Sequence, residues 1–453
     1  MTFTIESLGC AKNQVDSEDL LAFLEQAGLS WVAEPAQAEV IIVNTCGFIA
    51  SAKEESIKVS LELKLRYPAK RVIVTGCLVQ RYSAELEQAM DEIDGFAGLR
   101  DFAGILERIR GSRGPADIPC RAETAVPPSA VPPSAAPPSA VRGAAPVRRR
   151  FLSYPGSVYV KLAEGCGNRC SYCAIPLIRG GLVSRSRADI LEEVRGLLER
   201  GVYELVLIAQ DLASFGLERG QAELVPLLKE VLRLPGRFWV RLLYLHPDHV
   251  PDGLLDVVES DERILPYFDL PFQHASASVL ARMGRSGSGR RYLELVDSIR
   301  RRLPEAVLRS TFLVGFPGES EEDFRELEAF QQAAALDWAG VFSYSREEGT
   351  RAAALRPRVP APEVRRRRQV LERAQESITV GRLERQVGRV LEVLVEEAVQ
   401  GEGLYLGRAY LHAPEVDGLV VVKAAGLEPG ATVRARITAR RGMDLEAVDV
   451  RER

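Results

Sequence analysis

The sequence predicts a mixed α/β protein in three parts: an N-terminal parallel α/β domain, a central partial (β/α)6 barrel and a small C-terminal antiparallel β-barrel. Apolar strands alternate with amphipathic helices over the first ~110 residues, which indicates a parallel sheet. The alternation resumes after a proline-rich segment, and the last ~75 residues change to short strands separated by turns. We expect domain boundaries at 1–112, 151–378 and 379–453, with a linker at 113–150.

The N-terminal domain is indicated by three short runs rich in Val and Ile, at 3–8, 39–43 and 71–75. Helices are expected at 17–27, 51–67 and 80–89. Right-handed crossovers between parallel strands keep the carboxyl ends of the strands on one edge of the sheet. Residues that follow these strands should therefore lie close together.

A proline-rich linker follows, in which the unit Ala-Val-Pro-Pro-Ser occupies 125–129 and 130–134 and nearly recurs at 135–139. Proline fixes φ and removes a backbone donor, so the segment should be extended and semi-rigid. Its last residues are Arg148, Arg149 and Arg150. We interpret them as a solvated linker end in preference to a basic docking patch.

Six runs predict the strands of the central barrel, at 157–162, 204–208, 238–243, 267–270, 307–314 and 340–344. Helical stretches such as 188–198, 224–232, 292–301 and 321–331 separate them. Six units are too few for a closed eight-stranded barrel, so we expect a partial barrel with reactive groups at the carboxyl ends of its strands. A charged helix at 363–375 is interpreted as a solvated connector, because its arginines 365–368 wrap around the helix.

The tail predicts five short strands, at 390–395, 404–409, 418–422, 432–437 and 445–450. Such strands suggest a small antiparallel barrel of the oligonucleotide-binding type. Residues 391–453 nevertheless contain 11 acidic and eight basic side chains. Because nucleic-acid-binding modules normally present net positive charge, this balance favours a basic protein as the binding partner.

The overall composition excludes several classes of protein. The formal net charge is −4, from 59 basic and 63 acidic residues, so no general attraction to nucleic acid or anionic membrane is expected. No apolar run approaches the ~18 residues of a spanning helix, and the first residues do not resemble a signal peptide. We therefore expect a cytoplasmic protein with no membrane association. In that reducing compartment the seven cysteines are expected to be metal ligands, reactive thiols or residues that fill the core, rather than disulfides.

Three cysteines, Cys166, Cys170 and Cys173, follow the first strand of the central barrel. Their spacing suits three corners of a four-iron cubane, which leaves the fourth iron without a protein ligand. An open metal position is typical of a reactive site rather than a structural one. The alternative is a zinc site with a distant fourth ligand.

A second set, Cys10, Cys46 and Cys77, follows the three N-terminal strands, one cysteine after each. Parallel strands bring these positions to the same edge of one sheet. Glycines beside the cysteines would let the backbone approach a bulky cluster. The alternative is three unrelated buried cysteines.

Together these features resemble a known family. Cys-x3-Cys-x2-Cys after a first barrel strand is similar to the radical S-adenosylmethionine (SAM) enzymes. The second cysteine set and a small TRAM-like barrel resemble the methylthiotransferase branch, over nearly the whole chain except the linker. The segment 7–18 is similar to members that modify an aspartate of small-subunit ribosomal protein twelve, whereas the transfer-RNA branch typically carries Tyr-Gly-Cys-Gln-Met-Asn there. Further similar segments are 44–49, 208–211, 270–276, 342–350 and 413–418.

The resemblance implies two [4Fe–4S] clusters and SAM as cofactors. The cluster on Cys166, Cys170 and Cys173 would cleave SAM to a radical that attacks the β-carbon of the aspartate. The cluster on Cys10, Cys46 and Cys77 would supply sulfur, and a second SAM the methyl group. The cofactors would thus carry the reaction, and the sequence singles out no catalytic side chain.

Partners follow from the same resemblance: the ribosomal protein as substrate, an electron donor such as flavodoxin or ferredoxin, and action as a monomer. Tyr172, Gln210 and Gly318 are candidate contacts of SAM. Other polar residues at strand ends are weaker candidates with ordinary structural roles as the alternative: Asp211, His246, Gln273 and His274. Two other functions stay open, a transfer-RNA adenosine methylthiotransferase and a non-enzymatic iron–sulfur protein that transfers electrons or binds RNA.

Overall fold

A computed structural model describes residues 1–111, 148, 150–401 and 403–450. Most of the expected linker at 113–150 lies outside these residues, so its conformation stays a prediction. The described residues form a parallel N-terminal sheet, a parallel central sheet and a closed barrel in the tail. The predicted mixed α/β fold class is confirmed.

The N-terminal sheet is parallel with strand order β2-β1-β3-β4-β5. Its strands are β1 (Thr2–Ser7), β2 (Ser30–Trp31), β3 (Val40–Thr45), β4 (Arg71–Gly76) and β5 (Gly95–Phe96). The helices between and after them are α1 (Ala11–Gln26), α2 (Ala50–Arg66), α3 (Cys77–Ala89) and α4 (Phe102–Arg110). Every residue of β3 is buried, as expected for a central strand of a sheet covered on both faces.

Two helices begin earlier than the sequence predicts. Helix α1 begins at Ala11 instead of residue 17, and α3 begins at Cys77 instead of residue 80. The first turns of α1 are polar, but Asn13 and Asp16 are buried and hydrogen-bonded in the structure. Contacts with the central barrel therefore stabilise helical residues that the apolar periodicity of the sequence does not include.

The central sheet is also parallel, with order β13-β12-β11-β10-β9-β6. Its strands are β6 (Ser157–Lys161), β9 (Glu204–Ile208), β10 (Trp239–Leu242), β11 (Ile264–Asp269), β12 (Val307–Val314) and β13 (Trp338–Ser343). A small hairpin, β7 (Ala163–Glu164) and β8 (Val183–Ser184), follows β6. All six predicted strands of the partial barrel are present within the described residues.

Helices α6 (Arg187–Glu199), α7 (Leu224–Val231), α8 (Leu254–Ser260), α9 (Ala277–Met283), α10 (Gly289–Arg302) and α11 (Glu321–Ala334) cover the outer face of this sheet. The short helix α5 (Ile175–Arg179) instead packs against the N-terminal domain. The sequence interpretation missed α5, α8 and α9, which are only five to seven residues long. Such short helices show too few turns for a clear apolar periodicity.

The tail forms a closed barrel with order β14-β15-β16-β18-β17. Its strands are β14 (Val390–Val399), β15 (Leu404–Arg408), β16 (Val420–Lys423), β17 (Thr432–Arg441) and β18 (Asp444–Asp449), and α12 (Ala361–Glu384) precedes them. The pairings are antiparallel except that β16 pairs with β18 in parallel. That pair closes the barrel, which sequence alternation alone cannot show.

The tail barrel packs on the inner face of the central sheet. Val206, Trp239 and Tyr267 belong to the same apolar core as Val393 and Leu411 of the tail. A buried ion cluster joins the two parts: Glu204 accepts hydrogen bonds from Arg241 (2.7 Å) and Arg408 (2.6 Å). Burial opposes ionisation of Glu204, but the two guanidinium groups outweigh it and lower its pKa to about 2.

The structure tests the interpretation of two arginine runs, the linker end and the charged helix α12. Arg148 is buried, donates to Glu18 at 2.6 Å and pairs with Glu193, so the solvated linker end was wrong for this residue. Its charge joins the N-terminal domain to the barrel. Along α12, by contrast, Arg366 and Arg368 are exposed and pair with carboxylates, as a solvated connector would, while Arg367 is buried against Glu319.

Candidate metal centres

The three N-terminal cysteines lie at one edge of the sheet, where loops from neighbouring strands touch. Cys10 is the N-cap residue of α1, Cys46 follows β3, and Cys77 opens α3. Gly9 has φ of +97°, and a Cβ built on it would lie 2.8 Å from Cβ of Cys46. A Cβ on Gly47 would lie 2.7 Å from the carbonyl oxygen of Cys77. Glycine is thus required where each cysteine loop meets the next.

Asn13, one turn after Cys10, connects the three cysteine loops. Its amide nitrogen donates to the carbonyl oxygens of Leu8 (2.9 Å) and Thr45 (3.0 Å). Its amide oxygen lies 3.4 Å from Sγ of Cys77 and accepts from Arg179 at 2.7 Å. One side chain therefore holds the loops after β1, β3 and β4 together.

The pKa values of the cysteine thiols agree with the closeness of the three loops. Burial raises the pKa of Cys77 to about 12; Arg179 opposes the rise, whereas Cys10 and Cys46 add to it by like-charge repulsion. Burial likewise raises the pKa of Cys46, with Cys10 again contributing. Thiols with raised pKa values stay protonated near neutral pH unless a metal displaces the proton.

The second set lies in the loop between β7 and α5, at the carboxyl end of the first central strand. The backbone amide of Asn168 donates to Sγ of Cys166 (3.4 Å), and the amide of Cys173 donates to the carbonyl oxygen of Cys170 (3.2 Å). Ser171 anchors the loop through bonds to the carbonyl oxygens of Met283 (2.8 Å) and Arg282 (2.7 Å). Burial raises the pKa of Cys166 to about 11 and that of Cys173 to about 12.

Helix α5 lies between the two cysteine sets. Its N-cap residue Ala174 directly follows Cys173, and Ala174 and Ile178 pack against Cys77. At the end of the helix, Arg179 donates to Sγ of Cys77 at 3.3 Å. The thiols of the N-terminal domain therefore face the cysteine loop of the barrel across one short helix.

The donor sets suit iron–sulfur clusters better than single ions. Within the described residues, no three His, Cys, Asp or Glu side chains converge as the ligands of one metal ion would. A cubane instead takes each thiolate at a separate corner. Each cysteine set would offer three thiolates to such a cluster and leave its fourth iron without a ligand from that set.

The three candidate SAM contacts have different surroundings. Tyr172 packs against the barrel core within the cysteine loop. Gln210 follows β9, and its Oε1 is buried with no hydrogen-bond partner in the part of the chain that the structure describes. Gly318 has φ of +80° and accepts from Arg282 at 3.0 Å, and a cavity of about 370 Å³ opens nearby, lined by Gly315 and others but not by Gly318.

The weaker candidates at strand ends have structural partners. Asp211 accepts from Asn168 of the cysteine loop (2.8 Å), from Ser214 and from the backbone amide of His246. His246 stacks on His249 with ring centroids 4.5 Å apart. His274 accepts from the amide of Ser276 (3.0 Å), while its Nε2 is buried without a partner. The backbone of Gln273 pairs with β12.

Several charged residues at the site were missed. Arg179 donates to Asp16 (2.9 Å) and Glu164 (2.7 Å) as well as to Cys77, and Lys161 donates to the same two carboxylates. Lys12 is buried, with its Nζ 2.9 Å from the ring centroid of Tyr244. Burial lowers the pKa of Lys12 to about 8, against the opposing charge of Cys10. The closeness of Lys12 to Cys10 and of Arg179 to Cys173 in the sequence was the one available indication that these residues lie at the site.

Comparisons with known proteins match the three parts of the fold. Residues 2–98 match the uncharacterized protein family UPF0004, residues 160–330 the radical SAM superfamily and residues 387–450 the TRAM domain. The ribosomal protein uS12 methylthiotransferase RimO of Treponema denticola is 40% identical, over 98% of this chain and 99% of its own length. The chain belongs to the radical SAM methylthiotransferase family. RimO of Moorella thermoacetica (42%, covering 95% of each chain) and of Aquifex aeolicus (40%, 99% of each) agree.

Solved structures support the fold alone. The radical SAM methyltransferase TsrM of Kitasatospora setae, with cobalamin and a [4Fe–4S] cluster bound, superposes with a TM-score of 0.56. The sequences are 18% identical over 78% of this chain and 76% of that one.

As a radical SAM methylthiotransferase, this chain is an enzyme that transfers a methylthio group and uses SAM and [4Fe–4S] chemistry. The predictions of family, enzyme class and cofactors are confirmed. Within the described residues no helix is long and apolar enough to cross a bilayer.

Proposed function

We propose that this methylthiotransferase modifies the β-carbon of an aspartate in ribosomal protein uS12. The similarity to RimO of T. denticola, 40% identical over 98% of this chain, carries the proposal. The acidic balance of residues 391–453 supports a basic ribosomal protein over RNA as the substrate.

We assign one [4Fe–4S] cluster to Cys166, Cys170 and Cys173 and a second to Cys10, Cys46 and Cys77. With SAM bound, these groups supply the radical, the sulfur and the methyl group. The chain's own residues hold them: Asn13 connects the loops of the first set, and Ser171 anchors the loop of the second.

The apolar residues between the two cysteine sets orient the sets and exclude water. Ala174 and Ile178 present apolar surface to Cys77, and Leu99 packs beside them. Radical chemistry supplied at the barrel set would require that solvent be excluded, and this apolar surface would contribute to that exclusion.

For SAM, we keep Tyr172, Gln210 and Gly318 as contacts. The unpaired Oε1 of Gln210 supports its assignment, because a buried acceptor without a donor costs roughly 1–3 kcal/mol that a bound ligand can recover. We further propose that the enzyme receives electrons from a donor such as flavodoxin or ferredoxin and that it acts as a monomer. A cytoplasmic location, which suits a ribosomal substrate, completes the proposal.

The test is anaerobic reconstitution with iron and sulfide, then reduction in the presence of SAM and a uS12 peptide. We expect deoxyadenosine and a peptide mass increase of about 46 Da, the change from hydrogen to methylthio. A transfer RNA offered in parallel should stay unmodified. Modified adenosine in that arm with an unchanged peptide would refute the proposal.

A further inference from the structure

We propose that Lys12 is the residue that recognises the substrate, by binding the carboxylate of the aspartate that is modified. This inference rests on the proposed function above and names how the site would select aspartate. Lys12 is the second residue of α1, two positions after Cys10. It therefore belongs to the N-terminal domain but extends toward the mouth of the barrel.

Tyr244 fixes the position of the Lys12 ammonium group. The Nζ atom lies 2.9 Å from the centroid of the Tyr244 ring, and Lys12 is only 6% exposed. Tyr244 follows β10 with φ of +63°, and its amide donates to Asp269 at the end of β11 (3.0 Å). Its carbonyl oxygen accepts from the amide of Leu212, beyond the end of β9 (2.9 Å). Three strand ends thus hold the ring under the ammonium group.

Other buried cations near this mouth already have carboxylate partners. Arg179 and Lys161 pair with Asp16 and Glu164. Arg309 pairs with Asp269 at 3.1 Å. These charges are neutralised within the protein and are not available for a substrate.

Lys12 differs from them because it forms no ion pair with any residue that the structure describes; its ammonium group lies on the face of the Tyr244 ring, and the carboxylates of Asp269 and Glu164 act on it only from beyond ion-pair distance. Arg285 is also buried and has no ion pair among the described residues, but it lies beside Cys170 and donates to the carbonyl oxygen of Pro271 (2.6 Å). Arg285 thus serves the barrel cysteine set, whereas Lys12 stands beside the other set.

The chemistry of the substrate needs such a cation. A carboxylate that enters a dry cavity loses its hydration, and burying it unpaired costs several kcal/mol. An ammonium group already desolvated on an aromatic face supplies the counter-charge. Because the β-carbon is directly bonded to the carboxylate carbon, holding the carboxylate also positions the C–H bond that must be broken.

A competing explanation gives Lys12 a different task, to offset negative charge on a cluster bound at Cys10. The two roles differ in what they discriminate. A substrate contact distinguishes an aspartate peptide from the matching asparagine peptide, while charge compensation of the cluster treats both alike.

The experiment uses reconstituted holoenzyme and two uS12 peptides that differ only by aspartate or asparagine at the modified position. Peptide affinity is measured anaerobically without reductant by fluorescence anisotropy, and iron content and the electron paramagnetic resonance spectrum are recorded for each variant. The variants are Lys12→Met, Lys12→Gln, and Lys12→Arg, with Lys58→Met on the exposed surface of α2 as the matched control.

We expect wild type and Lys58→Met to bind the aspartate peptide at least about tenfold more tightly than the asparagine peptide, roughly 1.4 kcal/mol. Lys12→Met and Lys12→Gln should lose this preference by weakening the aspartate peptide alone, and Lys12→Arg should keep most of it. If Lys12→Met fails to take up iron, the affinities of Lys12→Gln for the two peptides decide the question. A preference that survives both neutral variants, or a wild type without one, overturns the proposal. A wild type that binds the aspartate peptide but never forms product would instead count against the proposed function.

Discussion

The guanidinium group of Arg179 lies 3.3 Å from Sγ of Cys77, so the last residue of α5 touches a thiol of the other cysteine set. The same guanidinium is 2.9 Å from Asp16 and 2.7 Å from Glu164. Arg179 therefore connects the N-terminal cysteine set with the carboxylates buried between the two domains. A change at this one residue should affect metal content and stability together.

Replacing Arg179 with Met is expected to lower the free energy of unfolding by about 3–5 kcal/mol, because two buried carboxylates lose a partner. Loss of the contact with Cys77 should also reduce iron at the N-terminal set. Thermal unfolding and iron analysis measure the two effects. Arg290→Met, which breaks an exposed pair with Glu294, is the control and should change stability by less than about 1 kcal/mol. Equal effects of the two substitutions would contradict the role assigned to Arg179.

The two cysteine sets should be separable by mutation. Replacing Cys10, Cys46 and Cys77 with Ser is expected to lower iron from about eight to about four atoms per chain and leave reductive cleavage of SAM intact. No methylthiolated peptide should form. Replacing Cys166, Cys170 and Cys173 should retain about four iron atoms but abolish deoxyadenosine. Both are checked by iron analysis and chromatography of the products, and cleavage of SAM by the second variant would refute the assignment.

Gly9 offers a steric test of the first set. In Gly9→Ala the new Cβ would lie 2.8 Å from Cβ of Cys46, so the loop must move and iron content at this set should fall. Gly28→Ala is the matched control, because φ of Gly28 is +89° and φ of Gly9 is +97°. No described atom lies within 4 Å of a Cβ built on Gly28. This control should cost only the backbone strain, roughly 1 kcal/mol, and keep its iron. If both variants retain full iron, the close approach of the two loops does not matter for cluster binding.

Glu204 gives the junction between the central sheet and the tail barrel a pH dependence. Because its pKa falls to about 2 in the folded protein, below the ordinary value of 4.5, its stabilising effect is present above pH 4.5. The effect, on the order of 3 kcal/mol, should disappear as the pH falls from 4.5 toward 2. Denaturant unfolding of wild type and Glu204→Gln should differ by that amount at pH 7, and the difference should shrink toward zero as the pH approaches 2. A gap that stays constant with pH would exclude this carboxylate as the source.

Most of the architecture was predictable because it depends on local pattern. The strands at Glu204–Ile208 and Val307–Val314 have the predicted bounds, since continuous apolar runs between polar turns leave little choice. The start of α1 was not predictable in this way. Asn13 and Asp16 form a helix there because their side chains have partners in distant loops and in the barrel.

At the candidate site, too, some features were predictable from the sequence and others were not. Sequence alone singled out the six cysteines as candidate ligands. One of Cys10, Cys46 and Cys77 follows each predicted N-terminal strand, and the other three follow the first strand of the central barrel. The sequence also determined the family, through motifs that need no coordinates. Only the tertiary structure decided that α5 separates the two cysteine sets, that Arg148 is buried between domains, and that Lys12 lies on Tyr244. The physical reason is that a charge becomes buried through contacts between residues far apart in the chain, and these contacts leave no periodicity in the sequence.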